Sequence, residues 1–283
     1  MYDFILGDRE SILQDSEQEK KFLLSVKRML PRWCNSIPDS EFLAIYDVLY
    51  DKQSARKNPI YVETGSGAST IILFWFAMKN DGRLYTWDTN GSKLHFLRNV
   101  IQDAILRVFN EYSIWKIWCP IATMSTSPYA GISALREIED VFENGVAACF
   151  LDSDHTIDNL LKETSQVLEL MQDKSVIIID DSNYRSKYVN MAFANMVRRK
   201  MGLQPCEEPV DNISEKTFGE SVEEFLLEHT KELVHIDDTY KLYYKEDLFW
   251  AYYKADRDMM ADMEMEKYDN LEHRFDAWEI VRK

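Results

Sequence analysis

Carboxylate residues occur in two short motifs that could do chemistry. Asp152 and Asp154 lie in "FLDSDH", and Asp180 and Asp181 lie in "IIIDDSNY", each motif ending an apolar run. Carboxylates gathered in a cleft repel one another, so either some of them hold protons or a cation neutralises them. An all-oxygen ligand set suits a hard divalent ion such as Mg²⁺, with Mn²⁺ or Ca²⁺ as alternatives. The motifs therefore predict either acid–base chemistry or a divalent-metal site.

A glycine-rich turn in "YVETGSGAST", residues 61–70, follows one apolar run and opens another. Glycine lets the backbone take a positive φ or approach a ligand closely, and the helix that follows has free N–H groups at its start. No lysine follows the turn, which argues against a P-loop, and Thr70 replaces the third glycine of a dinucleotide motif. Glu63 would repel a pyrophosphate but suits a ligand with a cationic amino-acid tail. A tight turn without a ligand is the alternative.

A further acid, Asp88, ends the second apolar segment "GRLYTWD" and follows Gly67 by 21 residues. A carboxylate at this point can accept hydrogen bonds from both hydroxyls of a ribose. NAD-binding folds place an acid in the same way, so Asp88 by itself does not distinguish the two kinds of cofactor.

The elements around these motifs alternate between strand and helix. The runs at 146–151 and 175–179 are continuously apolar, which is typical of parallel strands covered on both faces. We predict a doubly wound α/β region over roughly residues 58–200, with further strands at "YSIWKIWC", "ELVHI" and "FDAWEIVRK" and a helix near 131–142. Asp152 and Asp180 are 28 residues apart, about one strand–helix–strand unit, so their strands should be neighbours whose carboxyl ends meet.

The parts outside this region are predicted to be a helical N-terminal extension or lid over residues 1–57, and an acidic, Met-rich insertion near 255–272 within a domain of residues 58–283. In the extension, Asp39 or Ser40 is a candidate N-cap. The aromatic runs "TYKLYY" and "LFWAYYK" are further strand candidates.

Composition limits the classes of partner. The formal net charge is −16 and the pI is near 4.8, which argues against nucleic acid and anionic membranes as partners. No apolar run is long enough to span a membrane. Four scattered cysteines without a CxxC pattern predict reduced core thiols and a cytoplasmic location. A small-molecule partner is expected, and aromatic residues near the C-terminus leave a homodimer open.

The glycine turn and Asp88 together resemble those of the class I S-adenosylmethionine-dependent methyltransferases. The match is carried by E-x-G-x-G followed by "AST", with the acid ending the second strand. This resemblance implies a Rossmann-like, seven-stranded, mostly parallel sheet with helices on both faces. It also implies that Glu63 anchors the turn or the amino group of the cofactor. The implied cofactor-binding residues are Glu63, Gly65, Ser66, Gly67, Ser69 and Asp88.

The two acidic motifs extend the resemblance to the metal-dependent sugar O-methyltransferases of the macrocin and novobiocin type. It implies that Asp152, Asp180 and Asp181 bind a divalent metal, Mg²⁺ first, and that Asp154 is the catalytic base. His155 departs from the family pattern, which leaves the base as either Asp154 or His155; either could instead cap the following helix. The implied acceptor is a saccharide, a nucleotide-sugar or another polyhydroxylated small molecule, for which Arg185 and Lys187 could bind an anionic group.

Two other functions remain open on sequence grounds. Cephalosporin-hydroxylase-like relatives share the fold and the acidic strand ends, so a metal-dependent reaction without methyl transfer is one alternative. A non-catalytic, methyltransferase-like scaffold protein is the other.

Overall fold

The computed structural model describes residues 9–109, 113–154, 156–182, 199, 202–204, 216–236 and 275–283. Its helices are α1 (Arg9–Ile12), α2 (Ser16–Arg28), α3 (Asp39–Gln53), α4 (Ala68–Lys79), α5 (Gly91–Val100), α6 (Leu106–Phe109), α7 (Glu139–Asn144), α8 (Ile157–Leu168) and α9 (Phe218–His229). Its strands are β1 (Ile60–Thr64), β2 (Arg83–Trp87), β3 (Trp118–Ile121), β4 (Val146–Leu151), β5 (Met171–Ile179), β6 (Thr230–His235) and β7 (Asp276–Arg282).

The seven strands of this described part form one sheet in the order β3-β2-β1-β4-β5-β7-β6. Strands β1 to β5 pair in parallel, and β7 lies antiparallel between β5 and β6. The predicted doubly wound, mostly parallel α/β fold is confirmed. Because the order reverses at β1 and β4, the carboxyl ends of these two strands flank the crevice in which open α/β sheets bind ligands.

The sheet is covered on both faces, as its continuously apolar strands predict. Successive residues of β4 enter two different apolar clusters: Phe150 packs into the cluster on one face, and Cys149 and Leu151 into the cluster on the other. Every residue of β1 and β4 is buried. A strand buried on both sides gains from apolar residues at each position, which explains why these runs do not alternate.

The N-terminal helices pack on one face of the sheet. Leu23 of α2 and Phe42 of α3 belong to the same apolar cluster as Trp75 of α4. The carboxylate of Glu19 lies buried between these helices and accepts hydrogen bonds from Tyr46, Trp75 and Lys79. Whether residues 1–57 act as a lid stays a prediction.

Several predicted elements differ from the structure. The strand predicted at "YSIWKIWC" begins later, at Trp118, after a 3₁₀ turn at Ile114–Lys116. This strand lies at the edge of the sheet, where Pro120 is tolerated because an edge position needs no N–H donor on its outer side. The helix predicted near 131–142 is a 3₁₀ helix, Ile132–Glu137, followed by the short α7.

Two local predictions also require correction. Neither Asp39 nor Ser40 caps α3, because the N-cap is Pro38 and it makes no side-chain capping bond. Among the predicted core thiols, Cys34 and Cys149 are buried but Cys119 is exposed, since it lies on the edge strand β3. All three are free thiols.

Other predictions fall on residues outside the described ranges. These are His155, Arg185, Lys187, Cys206, the strand candidates "TYKLYY" and "LFWAYYK", and the insertion near 255–272. None of the helices in the described ranges is long and apolar enough to cross a membrane.

Candidate active site

The glycine turn connects β1 to α4 at the carboxyl edge of the sheet. Gly65 has a φ of +78°, in the left-handed region that favours glycine, and a Cβ there would overlap the backbone carbonyl oxygen of Asp152. Gly67 is extended, with a φ of 174°, so its conformation does not require glycine. A Cβ on Gly67 would lie 3.4 Å from the carbonyl oxygen of Cys34. The N-terminal segment that contains Cys34 therefore lies against the turn. Two separate neighbours therefore approach the turn closely.

The side chain of Glu63 fixes this turn through hydrogen bonds. Its carboxylate is fully buried and accepts hydrogen bonds from the hydroxyls of Ser69 (2.7 Å), Thr70 (2.8 Å) and Thr86 (2.8 Å). Burial raises the pKa of Glu63 to about 7, and the three hydroxyl donors oppose that rise. Because Ser69 and Thr70 are in the first turn of α4, Glu63 fixes the start of that helix. Of the two roles that the resemblance implies, this geometry fits anchoring the turn.

Asp88 joins the end of β2 to the same turn. Its Oδ2 accepts hydrogen bonds from the backbone N–H (3.0 Å) and the hydroxyl (2.6 Å) of Ser66, and Lys93 Nζ lies 3.4 Å from the same oxygen. Its Oδ1 accepts a bond of 2.7 Å from the N–H of Asn90, just before α5. The carboxylate therefore sets the positions of the glycine turn and of the segment after β2.

The second acidic group is at the ends of β4 and β5, as predicted. The strands pair Leu151 with Ile179, so Asp152 and Asp180 follow side by side. The backbone N–H of Asp152 donates to the carbonyl oxygen of Thr64 (2.9 Å), which ties this end to β1. A small pocket opens at this edge. Its lining includes Asp152, Ser153, Asp154, Asn159, Glu163, Asp180 and Phe218.

The predicted acidic residues differ in their positions around this pocket. Asp154 is exposed at its rim, whereas Asp180 is buried. Asp181 is also buried, has a φ of 50° and is not part of the lining; its backbone N–H donates to Asp180 Oδ1 at 2.7 Å. The alternative role of Asp154 as a helix cap is not realised, because the N-cap of α8 is Thr156.

Glu163 is a carboxylate of the pocket that the sequence analysis missed. It lies on α8, is fully buried, and accepts hydrogen bonds from Ser153 (2.6 Å), Thr64 (3.2 Å) and Ser125. Burial raises its pKa, and the hydroxyl donors oppose the rise. The one signal in the sequence is a glutamate on the buried stripe of an amphipathic helix, next to Thr164 and Val167.

The pocket residues have the chemistry of a metal site but not its arrangement. Carboxylate oxygens suit Mg²⁺. Across the ranges that the structure describes, however, no three His, Cys, Asp or Glu side chains are grouped closely enough to hold an ion. The predicted set of Asp152, Asp180 and Asp181 therefore does not fit a metal in this arrangement.

Comparison with known proteins gives a match to the part of the chain that contains the glycine turn, β2 and both acidic motifs. Residues 62–182 match the family model of the methyltransferase domain. No curated protein is significantly similar in sequence.

Solved structures resemble the chain at low sequence identity. The cofactor-bound protein Rv0187 from MTB has a TM-score of 0.52 at 13% identity, and the alignment covers 97% of this chain and 94% of that one. The O-methyltransferase TomG from Streptomyces achromogenes, solved with SAM, has a TM-score of 0.49 at 11% identity, with 96% and 93% covered. The O-methyltransferase from Bacillus cereus, solved with SAH, has a TM-score of 0.48 at 13% identity, with 99% and 96% covered.

The family match covers the end of β1, the glycine turn, Asp88 and both acidic motifs. Residues 62–182 are therefore similar to methyltransferase domains, and the chain has the α/β methyltransferase fold.

Proposed function

We propose that this chain transfers the methyl group of S-adenosylmethionine to a hydroxyl oxygen of a small molecule. One observation carries the proposal: the backbone of Gly65 packs directly against the backbone carbonyl of Asp152. The turn that would bind the methionine part of the cofactor is thus in contact with the segment that leads into the acidic pocket. A methyl donor in the turn and an acceptor in the pocket would meet across this contact.

The cofactor residues are proposed to act in two ways. Gly65 and Gly67 lie near the methionine part, and Asp88 binds the ribose. A carboxylate has about four lone-pair sites, and the N–H and hydroxyl of Ser66 and the N–H of Asn90 occupy three of those on Asp88. Asp88 can therefore accept a bond from one ribose hydroxyl directly, and from the second when the Ser66 hydroxyl turns away. Glu63 is buried and acts through Ser69 and Thr70, whose positions it fixes.

The proposed reaction is an in-line displacement. The sulfonium already makes the methyl group electrophilic, so alignment with the acceptor oxygen is the main task of the protein. An oxygen–carbon bond forms as the carbon–sulfur bond breaks, the electron pair of that bond stays on sulfur, and S-adenosylhomocysteine leaves. The hydroxyl proton passes to a base. Asp154, at the rim of the pocket, is the candidate among the described residues, and His155 is the alternative, because histidine is the residue type whose unperturbed titration falls near neutral pH.

The proposal also includes a class of acceptor and a bound metal ion. We propose a saccharide or other polyhydroxylated acceptor, including nucleotide-sugars, because Asp152, Ser153 and Asn159 give the pocket several hydrogen-bonding groups. We also propose that a divalent ion, Mg²⁺ first, is held by Asp152, Asp180 and Asp181, which requires these side chains to come closer together. A cytoplasmic location and a homodimer stay predictions.

The first experiment is a calorimetric titration of S-adenosylhomocysteine into the purified protein, with Mg²⁺ and again with EDTA. Saturable one-site binding at a micromolar Kd, about −8 kcal/mol, is expected. A difference between the two conditions would support the metal. Absence of binding under both would contradict the proposal and favour the hydroxylase-like or scaffold alternatives.

The second experiment tests the base and the acceptor class. Radiolabelled S-adenosylmethionine is incubated with a panel of monosaccharides, sugar acids and nucleotide-sugars, and transfer of label is measured. With the acceptor so found, Asp154→Asn should reduce kcat by about 100-fold or more if Asp154 is the base. Asp158→Asn, in the exposed first turn of α8, is the matched control and should retain activity. Full activity of Asp154→Asn would move the role to His155.

A further inference from the structure

Glu163 connects three segments at the carboxyl edge of the sheet. Its Oε1 accepts hydrogen bonds from Ser125 and Ser153, and its Oε2 accepts one from Thr64. Thr64 ends β1 and precedes Gly65. Ser125 lies in the segment after β3, and Ser153 lies between Asp152 and Asp154. One buried side chain therefore touches the end of β1 and the segments that follow β3 and β4.

A second residue of α8 supports the same connection. Asn159, one helical turn before Glu163, donates from Nδ2 to the hydroxyl of Ser153 at 2.9 Å. Its Oδ1 accepts a bond of 3.3 Å from Thr126, which neighbours Ser125. The two side chains thus join the segment after β3 to the segment after β4 at two adjacent points.

The chemistry of the three donors favours a carboxylate at this position. A carboxylate accepts at both oxygens, whereas glutamine accepts at one and carries a donor at the other. Three hydroxyls that all donate to Glu163 cannot all retain their bonds after a change to glutamine. The loss of at least one of these buried bonds should loosen the segments that they hold.

We propose that Glu163 is a positioning residue for methyl transfer, which fixes the Asp152–Asp154 segment and the loop at 122–131 relative to the glycine turn. The inference rests on the proposed function, since Glu163 would serve the methyl transfer from S-adenosylmethionine. Glu163 acts through Ser153, Ser125 and Thr64. It therefore controls where the rim residue Asp154 lies relative to the cofactor.

Glu63 provides the contrast that makes the role of Glu163 testable. Both carboxylates are fully buried and each accepts bonds from three hydroxyls. The partners of Glu63, however, lie in α4 and β2, on the cofactor side, whereas two of the partners of Glu163 lie after β3 and β4. We expect Glu63→Gln to weaken binding of S-adenosylhomocysteine and Glu163→Gln to leave it within about threefold of the wild-type value.

Hydrogen–deuterium exchange of the full chain, bound to S-adenosylhomocysteine, tests the positioning directly. Glu163→Gln should speed exchange at 122–131 and 152–154 by about tenfold or more, with α4 and β2 unchanged. Asp158→Asn, in the exposed first turn of α8, is the matched control and should change neither segment. Equal acceleration across the whole sheet, or none at the two segments, would overturn the proposal.

A kinetic measurement separates positioning from stability. With the acceptor found in the panel, Glu163→Gln should lower kcat by about tenfold to 100-fold and change the KM for S-adenosylmethionine little. Ser153→Ala removes one donor and should reproduce part of that loss, without a further loss in the double variant. If Glu163→Gln does not fold, Ser153→Ala alone carries the test. An unchanged kcat in a folded variant contradicts the inference, whereas failure of the wild type to bind S-adenosylhomocysteine contradicts the proposed function instead.

Discussion

Ser66 donates two hydrogen bonds to a single oxygen of Asp88, one from its backbone N–H and one from its hydroxyl. The middle residue of the glycine turn is thereby fastened to the acid that ends β2. Two motifs that lie about twenty residues apart in the sequence act as one unit in the fold. The proposed ribose site and the proposed methionine site should consequently respond together when either partner is changed.

Asp88→Ala should therefore weaken binding of S-adenosylhomocysteine by more than the loss of a ribose contact alone. We expect a decrease of about 100-fold for Asp88→Ala and about tenfold for Ser66→Ala, because the latter keeps the backbone bond. Calorimetry measures both affinities, with Asp51→Asn on the exposed face of α3 as the control. Wild-type affinity in Asp88→Ala would contradict this assignment.

Gly65→Ala should destabilise the chain more than an equivalent change at another left-handed glycine. Gly202 has a φ of +71°, and no atom of the described residues lies within 4 Å of the point that its Cβ would occupy, whereas a Cβ on Gly65 would overlap the carbonyl of Asp152. We expect a loss of about 1 kcal/mol for Gly202→Ala and at least about 3 kcal/mol for Gly65→Ala. Urea denaturation compares the two variants, and equal losses would show that the close approach is not constraining.

The strand ends were predictable because each carries a short signal. An apolar run that stops at a glycine turn or an acid places Gly65, Asp88, Asp152 and Asp180 at one edge of a parallel sheet, and the structure places them there. The bounds of β3 were harder to predict, since "YSIWKIWC" has the composition of a strand throughout and only the edge position explains why the strand continues through Pro120, just after this run.

The side-chain connections of the site were not predictable from local patterns. Glu163 reaches its partners across three segments of the chain, from 10 to 99 residues away, and no motif encodes such an arrangement. The same holds for the bond from Ser66 to Asp88, which depends on the rotamer of each side chain. A glutamate on a buried helical stripe marks a position to inspect, but its partners follow only from the packing of α8 on the sheet.

Glu63→Gln should change how stability depends on pH. Burial raises the pKa of Glu63 to about 7 from an ordinary value of 4.5. Between these values the folded chain holds a proton that the unfolded chain has released, so folded stability decreases as pH rises and the decrease is complete above about pH 7. Glutamine does not titrate. The free energy of unfolding of the variant minus that of the wild type should therefore rise by roughly 3 kcal/mol between about pH 5 and pH 8.

Urea denaturation across this pH range measures the difference. The contributions of other titrating groups to the free energy of unfolding cancel in it, provided that the substitution does not change them. A difference that stays flat from about pH 5 to pH 8 would mean that Glu63 ionises in the folded chain as it does in the unfolded one.

Glu19→Gln should destabilise the packing of the N-terminal helices on the sheet. The buried carboxylate of Glu19 accepts from Tyr46 Oη (2.6 Å), Trp75 Nε1 (2.9 Å) and Lys79 Nζ (2.7 Å), so it links α2 to α3 and α4. Glutamine leaves Lys79 without its ionic partner and at least one donor without an acceptor, at a cost of about 3 kcal/mol. Glu17→Gln is the matched control, since Glu17 is on the same helix, is 68% exposed and pairs with Lys20 at the surface. It should lower the free energy of unfolding by less than about 1 kcal/mol. Similar losses in the two variants would mean that Glu19 contributes no more than a surface ion pair, and that apolar contacts alone hold α2 against α4.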